Sequence, residues 1–169
     1  IGGSFYYCVN TASNSDKVAT YAGVKAPLRI YTVDGQYKNK YVTARTNFVF
    51  GNLTGATAIS NKNKGLSNSS PYTRVVQVAK KAVSYAGEVG VNLRSICNGN
   101  KKVPVIYPFA RYEYYNPQEA GEKGQLPMDK RNQVSMWTAG LNWYALPNLV
   151  VKADYMTRQI GTGLSLIHI

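Results

Sequence analysis

The sequence lacks long apolar runs and has few of the side chains on which most catalytic and metal sites depend. No stretch approaches the roughly 18 apolar residues that a membrane-spanning helix needs, so such helices are excluded. His168 is the single histidine and the two cysteines are isolated, so the chain offers neither a nucleophile with a base nor a set of metal ligands. We therefore expect a protein that is not an enzyme and that has no catalytic residues, no metal site and no cofactor.

The chain is strongly basic, with a formal net charge of +12. Its lysines lie mostly in loop-like stretches and do not interleave with aromatic residues in the pattern that stacks RNA bases. Lysines in loops usually serve only to solvate the surface. We therefore expect no nucleic-acid partner.

Residues 136–158 show the clearest pattern, because apolar and polar side chains alternate there with period two on both sides of a turn at 145–148. One face of this predicted hairpin carries Trp137, Ala139, Leu141, Trp143, Leu149, Val151, Ala153 and Tyr155. The opposite face of its second strand carries Lys152, Asp154, Met156 and Arg158. Such alternation is typical of strands with two unlike faces. An apolar stripe bracketed by tryptophans, opposite a charged face, favours a membrane barrel strand between lipid and a water-filled lumen.

The same alternation predicts seven strands, at residues 1–10, 28–37, 41–50, 82–96, 103–115, 136–144 and 149–158. Their connections alternate between long (11–26, 51–81, 116–132) and short (38–41, 97–102, 145–148), although 75–81 fits either a strand extension or a short helix. This rhythm is typical of an up-and-down barrel, whereas an immunoglobulin-like sandwich mixes hairpins with crossovers. The predicted fold class is therefore all-β: an antiparallel up-and-down transmembrane β-barrel fragment, with about seven meandering strands in a curved open sheet.

Three segments carry a family resemblance: YKNKYVTARTNFVFGN at 37–52, YPFARYEYYNP at 107–117 and MWTAGLNWYALPNLVVKADY at 136–155. In this order they closely resemble the C-terminal half of Gram-negative outer-membrane porins, in the group related to phosphate-selective porins. The resemblance covers nearly the whole chain up to Gly161 and implies a barrel of the roughly 16-stranded type, about half of which is present. Because the chain has no dense arginine cluster, phosphate selectivity does not follow from it.

The resemblance implies a segment of a water-filled diffusion pore for small hydrophilic solutes in the outer membrane, with a preference for anions where bases outnumber acids. It implies outer-membrane lipid and small solutes or anions as partners, and it leaves a homotrimer open for the full-length protein. Lysines in loops outside a barrel can also contact lipopolysaccharide phosphates, so lipopolysaccharide is a further expected partner. The predicted pore-lining residues are Asp34, Arg45, Glu88, Arg94, Arg111, Glu113, Lys152, Asp154 and Arg158. The predicted lipid-facing aromatic girdle is Tyr7, Tyr31, Tyr85, Tyr112, Trp137, Trp143 and Tyr155.

Two alternatives stay open. The charged residues would line no pore if they only formed cross-strand pairs that solvate the barrel wall. The protein would be a structural or adhesive outer-membrane barrel if its long loops served to bind surface partners.

Further expectations concern the chain ends and the cysteines. Ile1 begins inside a strand pattern, so we expect a fragment or a mature segment. Residues 1–161 are expected to form the C-terminal part of an outer-membrane barrel, and residues 162–169 a non-native tail. Cys8 lies near a long loop and Cys97 at a short turn, so we expect opposite rims of the barrel to keep both thiols unpaired.

The predicted hairpin at 28–50 also allows a prediction of strand register. A two-residue turn at Asn39 and Lys40 would place Asp34 opposite Arg45 in the neighbouring strand. Side chains directly opposite each other have Cβ atoms about 4.5 to 5.5 Å apart, so we expect an ion pair between Asp34 and Arg45 on the lumenal face.

Overall fold

A computed structural model describes residues 1–13, 19–65, 77–125, 128–146, 148–161 and 165–168, with only the backbone described at 13 and 165–168. Its strands are β1 Gly2–Cys8, β2 Leu28–Lys38, β3 Val42–Leu53, β4 Lys81–Val91, β5 Val105–Ala120, β6 Val134–Leu146, β7 Leu149–Ile160 and β8 Ser165–His168. All pair antiparallel with their sequence neighbours in one sheet. Within these described ranges β1 and β8 each pair on one side only, so the sheet is open. The predicted up-and-down meander is confirmed, and a short β8 in the 162–169 tail is added to the seven predicted strands.

Two α-helices and two 3-10 turns lie in the connections: α1 Ala56–Lys64 follows β3, α2 Leu93–Ile96 follows β4, and Thr11–Ser13 and Lys130–Asn132 precede β2 and β6. None of the described helices is both long and apolar enough to cross a membrane. The connections at 9–27, 54–80 and 121–133 meet at one edge, which we call the loop end. Those at 39–41, 92–104 and 147–148 meet at the opposite edge, the turn end.

The predicted strand at 82–96 is wrong for its last five residues. β4 ends at Val91, and the side chain of Asn92 accepts a hydrogen bond from the backbone N–H of Ser95, which caps α2. The helix lengthens the connection to 92–104, as long as 121–133, so the alternation of long and short connections is less strict than predicted. Local capping here competes successfully with the strand pattern.

The β2–β3 hairpin turns one residue later than predicted. Asn39 donates its backbone N–H to the carbonyl of Val42 (2.9 Å), which leaves Lys40 and Tyr41 as the loop. The side chain of Asn39 fixes this turn by accepting hydrogen bonds from the backbone of Tyr41 (2.8 Å) and Val42 (2.7 Å). Every pairing along the hairpin is therefore displaced by two residues from the predicted register. Because the side-chain period is two, each residue keeps its predicted face.

Cross-strand register divides β1–β7 into two faces, since directly paired residues share a face. We call the one that contains Tyr31, Tyr85 and Trp137 the aromatic face, and the one that contains Arg45, Glu88 and Arg111 the charged face. Large apolar side chains of the aromatic face are exposed: 59% for Trp137 and 46% for Tyr155. The sheet thus presents its large apolar side chains outward instead of packing them into a second layer.

The buried apolar residues of the described chain lie mainly in the loops. Ala12, Tyr21, Val24 and Ala26 form a small cluster at the loop end, against which Leu53 and Ile59 pack. Hydrogen bonds join the loops further: Tyr21 donates to the side chain of Asn63 (2.6 Å).

Glu122 joins the third long loop to α1. Its carboxylate accepts hydrogen bonds from the backbone N–H of Gly55 (2.8 Å) and Thr57 (2.9 Å), which supplies the cap that the helix lacks locally. Burial raises the pKa of Glu122, but these hydrogen bonds and the nearby Lys80 outweigh it, so the pKa lies below its ordinary value of 4.5. The carboxylate is therefore a fixed anion at the positive end of α1.

Replacing Glu122 by Gln should destabilise the loop end by about 1 to 2 kcal/mol at pH 7, by loss of a charged helix cap. Because the folded-state pKa is depressed, the contribution is present above pH 4.5 and disappears as the pH falls through the folded pKa. Urea unfolding of the wild type and Glu122→Gln at pH 7 and in steps below 4.5 measures this. Asp154→Asn is the matched control, since the Asp154 carboxylate forms no ion pair among the described residues. An unfolding difference between wild type and Glu122→Gln that does not shrink in acid would contradict the role.

Gly140 in β6 lies on the charged face, where the backbone of β7 leaves no room for a Cβ. A Cβ there would lie 2.6 Å from the carbonyl oxygen of Ala153 and 2.6 Å from Cβ of Asp154.

We expect Gly140→Ala to lower the free energy of unfolding by about 1 to 3 kcal/mol, since the backbone of β7 must shift. Urea unfolding followed by tryptophan fluorescence tests this. Gly87→Ala, whose Cβ would meet nothing within 4 Å, should be neutral or slightly stabilising, and equal losses for the two variants would refute the packing argument.

Candidate functional site: the charged face

The charged face encloses a cavity of about 480 Å³ to which six strands, β2 to β7, contribute. Every residue that lines it belongs to the charged face, so the sheet curves toward that face. The lining residues are Lys38, Thr43, Arg45, Glu88, Gly90, Tyr107, Phe109, Arg111, Glu113, Thr138, Asn142, Tyr144, Lys152 and Asp154. Its ionisable side chains comprise four bases and three acids, apart from the tyrosines.

A row of alternating charge crosses the middle of this wall. Arg45 of β3 is paired in register with Glu88 of β4, and Glu88 with Arg111 of β5. Arg111 lies 3.9 Å from the carboxylate of Glu88 and donates a 2.6 Å hydrogen bond to Glu113, two residues along its own strand. The side chain of Arg111 remains 42% exposed, so these contacts are wet and each contributes only about 0 to 1 kcal/mol to stability.

Arg45 differs from Arg111 in having no ion pair among the described residues. Its neighbours in register are Gln36 on one side and Glu88 on the other, and Glu88 is engaged with Arg111. The guanidinium of Arg45 therefore faces the cavity without a carboxylate within ion-pair distance in the described chain. It is the cation of this row most available to a dissolved anion.

The predicted ion pair between Asp34 and Arg45 is wrong. Asp34 is paired with Asn47, and Arg45 with Gln36, because the turn lies one residue later than predicted. Both residues keep the predicted charged face. The carboxylate of Asp34 instead covers Gly2, where an added Cβ would lie 2.6 Å from its Oδ1.

Arg94 is also placed differently from the prediction. It lies in α2 at the turn end, and its Nε donates a 2.6 Å hydrogen bond to the carbonyl of Val103. It ties the connection 92–104 together and is not on the wall of the sheet. Asp34 and Arg158 lie on the charged face outside the cavity, and Nη2 of Arg158 donates to the hydroxyl of Tyr115 (3.3 Å).

The structure thus brings six of the nine predicted pore-lining residues into one cavity: Arg45, Glu88, Arg111, Glu113, Lys152 and Asp154. Sequence reasoning missed Lys38, which was assigned to the turn although its parity matches that of Asp34. It also did not name Tyr107 and Phe109 as pore-lining residues, although Phe109 was predicted to share a face with Arg111 and Glu113. Their parity with Arg111 in the same strand was the available signal.

The aromatic face contains all seven residues of the predicted girdle: Tyr7, Tyr31, Tyr85, Tyr112, Trp137, Trp143 and Tyr155. Neighbouring rings are in contact across strands, with centroids 5.0 Å apart for Phe5 and Tyr31 and 4.6 Å apart for Tyr112 and Trp137. Such aromatic pairs stabilise adjacent strands in addition to their apolar area.

The two cysteines are free, as predicted. Cys8 ends β1 at the loop end, and Cys97 follows α2 at the turn end. The length of the sheet separates them.

A curved antiparallel meander with an exposed aromatic face and a charged concave face defines the class of outer-membrane β-barrel walls. The comparisons with known proteins agree: the model of the family "Phosphate-selective porin O and P" matches residues 77–160. Residues 77–160 are therefore similar to the phosphate-selective type of porin. The matched segment runs from just before β4 to the end of β7 and includes Glu88, Arg111 and Asp154. Comparison with curated proteins gave no match, and neither did comparison with solved structures.

Proposed function

We propose that this chain forms part of the wall of a water-filled pore in the outer membrane of a Gram-negative bacterium, through which small hydrophilic solutes diffuse and anions are preferred. The observation that carries the proposal is the separation of side chains between the two faces. Aromatic and aliphatic side chains make up most of one face, and Arg45, Glu88 and Arg111 cross the other. In a pore the first face meets lipid and the second meets water.

The rings that cross the aromatic face from Tyr31 in β2 to Tyr155 in β7 form a belt, and the position of this aromatic belt supports the orientation quantitatively. Successive cross-strand pairs connect Tyr155 of β7 to Tyr37 of β2. Tyr37 lies six residues after Tyr31 in β2. The belt from Tyr31 to Tyr155 therefore shifts by six residues over five strand-to-strand steps. With about 3.3 Å per residue and about 4.8 Å between strands, a level belt requires strands tilted by about 40°. Membrane barrels have tilts of about 35 to 45°.

The anion preference rests on the excess of one base over the acids in the cavity, four against three. An arginine or lysine excess on a pore wall favours anions. Of the two arginines in the cavity, Arg45 supplies this excess better, because Arg111 is shared between two carboxylates. Phosphate selectivity is not part of the proposal, since the wall alternates in charge instead of forming an arginine cluster.

Single-channel recording of the full-length protein in a planar bilayer tests the pore. We expect stepwise increases in conductance, and at moderate voltages the current through each open channel should be proportional to the voltage. A protein that inserts into the bilayer and yields no steps would overturn the pore and favour a plugged or adhesive barrel.

Reversal potentials in a salt gradient test the wall residues. Arg45→Ala should remove most of the anion preference because it balances the cavity charge, and Glu88→Gln should increase the preference. Asp34→Asn should act in the same direction as Glu88→Gln but more weakly, since Asp34 lies outside the cavity. Lys62→Ala in α1 is the matched control and should change nothing. An unchanged reversal potential in Arg45→Ala, with conductance intact, would show that these charges only solvate the wall.

A further inference from the structure

The charged face also holds an apolar recess, which lies nearer the loop end than the cavity does. The recess has a volume of about 340 Å³, and strands β2 to β5 line it. In the described chain Ser84 and Tyr115 are its only lining residues with a polar side chain. The apolar side chains around it are those of Leu28, Ile30, Val49, Ala82, Val83 and Pro117. A face that otherwise carries charge thus contains a patch that water solvates poorly.

Two small residues form the floor of the recess. Gly51 of β3 and Ala82 of β4 are directly opposite each other in register. A Cβ at Gly51 would lie 3.8 Å from Cβ of Ala82, an ordinary contact, so the fold has room there for a side chain that the sequence leaves out. Glycine in a strand interior weakens the strand and often marks a place where a ligand approaches closely. Val49, beside this floor, is 36% exposed.

A cationic side chain reaches the rim of the recess. Arg158 belongs to β7, and its Nη2 donates a hydrogen bond to the hydroxyl of Tyr115 in β5 (3.3 Å). The side chain of Arg158 therefore crosses β6 and ends beside a residue that lines the recess. The guanidinium lies at the boundary between the apolar recess and the water-exposed wall.

The charge of Arg158 is not balanced within the described part of the chain. Arg158 forms no ion pair there, and its Nε has no hydrogen-bond acceptor. The nearest acid in its own row is Glu113, which accepts a 2.6 Å hydrogen bond from Arg111 instead. Arg158 therefore has charge and hydrogen-bonding capacity left for a ligand.

We propose that the recess binds a small organic anion that has a compact apolar body and one carboxylate. The body fills the recess, where it is removed from water together with the side chains that line it. The carboxylate lies at the rim and accepts charge-assisted hydrogen bonds from the guanidinium of Arg158. The site deepens the proposed function and rests on it, since it takes the charged face as the face that borders water.

This site differs from the row of alternating charge in what it selects. Arg45 lies four residues before Val49 in β3, about 13 Å along the strand, so the body and the head of one small ligand do not span both places. Arg45 attracts any anion, whereas the recess with Arg158 requires charge and apolar area in the same molecule. A polar anion gains only the ionic contact, and a neutral apolar solute gains only the burial.

Saturation-transfer NMR on the full-length protein in detergent tests the site at pH 7 with three probes: cyclohexanecarboxylate, the neutral cyclohexanecarboxamide, and acetate. The wild type should bind cyclohexanecarboxylate roughly tenfold more tightly than either of the others, which lack the charge or the body. Arg158→Gln should reduce the affinity for cyclohexanecarboxylate roughly tenfold and leave that for the amide unchanged. Lys62→Gln removes the same charge from an exposed position of α1 and should have no effect.

A second pair of variants tests the recess itself. Gly51→Val fills the floor, and because its Cβ makes only an ordinary contact with Ala82 the strand should stay folded. This variant should lose binding of cyclohexanecarboxylate and of the amide alike. Gly87→Val places the same side chain on the aromatic face and should leave binding unchanged.

Equal affinity of the wild type and Gly51→Val for cyclohexanecarboxylate would overturn the proposal, and so would equal affinity of the wild type and Arg158→Gln. Absence of binding to the wild type would also overturn it, because it would indicate that another part of the full-length protein covers the recess. Single-channel recording on the same preparation reports separately on the pore. Conductance steps without binding refute the site alone, whereas binding without steps supports the site and refutes the pore.

Discussion

The constraint on which the structure depends is the pairing of backbone groups across a single sheet whose two faces must be solvated by different media. With no second layer, the large rings of the aromatic face, such as Trp137 and Tyr155, gain nothing from a protein core. In the proposed pore, lipid hydrocarbon is the medium that buries exposed apolar area of this kind. Among the described strands, β2 to β6 pair on both sides, and only the edges of the open sheet present unpaired backbone groups.

This constraint explains which errors in the sequence interpretation mattered. The β2–β3 turn moved by one residue, which changed the partner of Arg45 from Asp34 to Gln36 but not its face. Parity is set by a side-chain period of two along each strand, whereas register is set by the turn, here by the Asn39 carboxamide and two backbone N–H groups. Face assignments were therefore predictable from the sequence, and individual ion pairs were not.

The limits of the strand pattern appear where local chemistry competes with it. Asn92 ends β4 by capping α2, so Arg94 has the parity of a wall residue but lies in a helical turn. At the other end, β5 continues to Ala120 past a predicted loop boundary, with a bulge in its pairing to β4. Glu122 acts over 65 residues of sequence on Thr57, a contact that no periodicity predicts. Capping and loop packing need tertiary contacts, which a single sequence does not reveal.

The two faces also differ in how well the position of a residue in its strand predicts the role of that residue. On the aromatic face, the belt follows from position alone, since strand parity decides which rings share that face. On the charged face, position is not enough, because Arg111 and Arg45 occupy one row yet only Arg111 is balanced by Glu88 and Glu113. The electrostatic contribution of a wall residue depends on which opposite charges lie beside it and on whether those charges also contact another residue. The register of three adjacent strands fixes both. In the proposed pore, the selectivity of a wall of alternating charge is therefore set by the charged groups that have no partner among the described residues, and Arg45 is the one in this row.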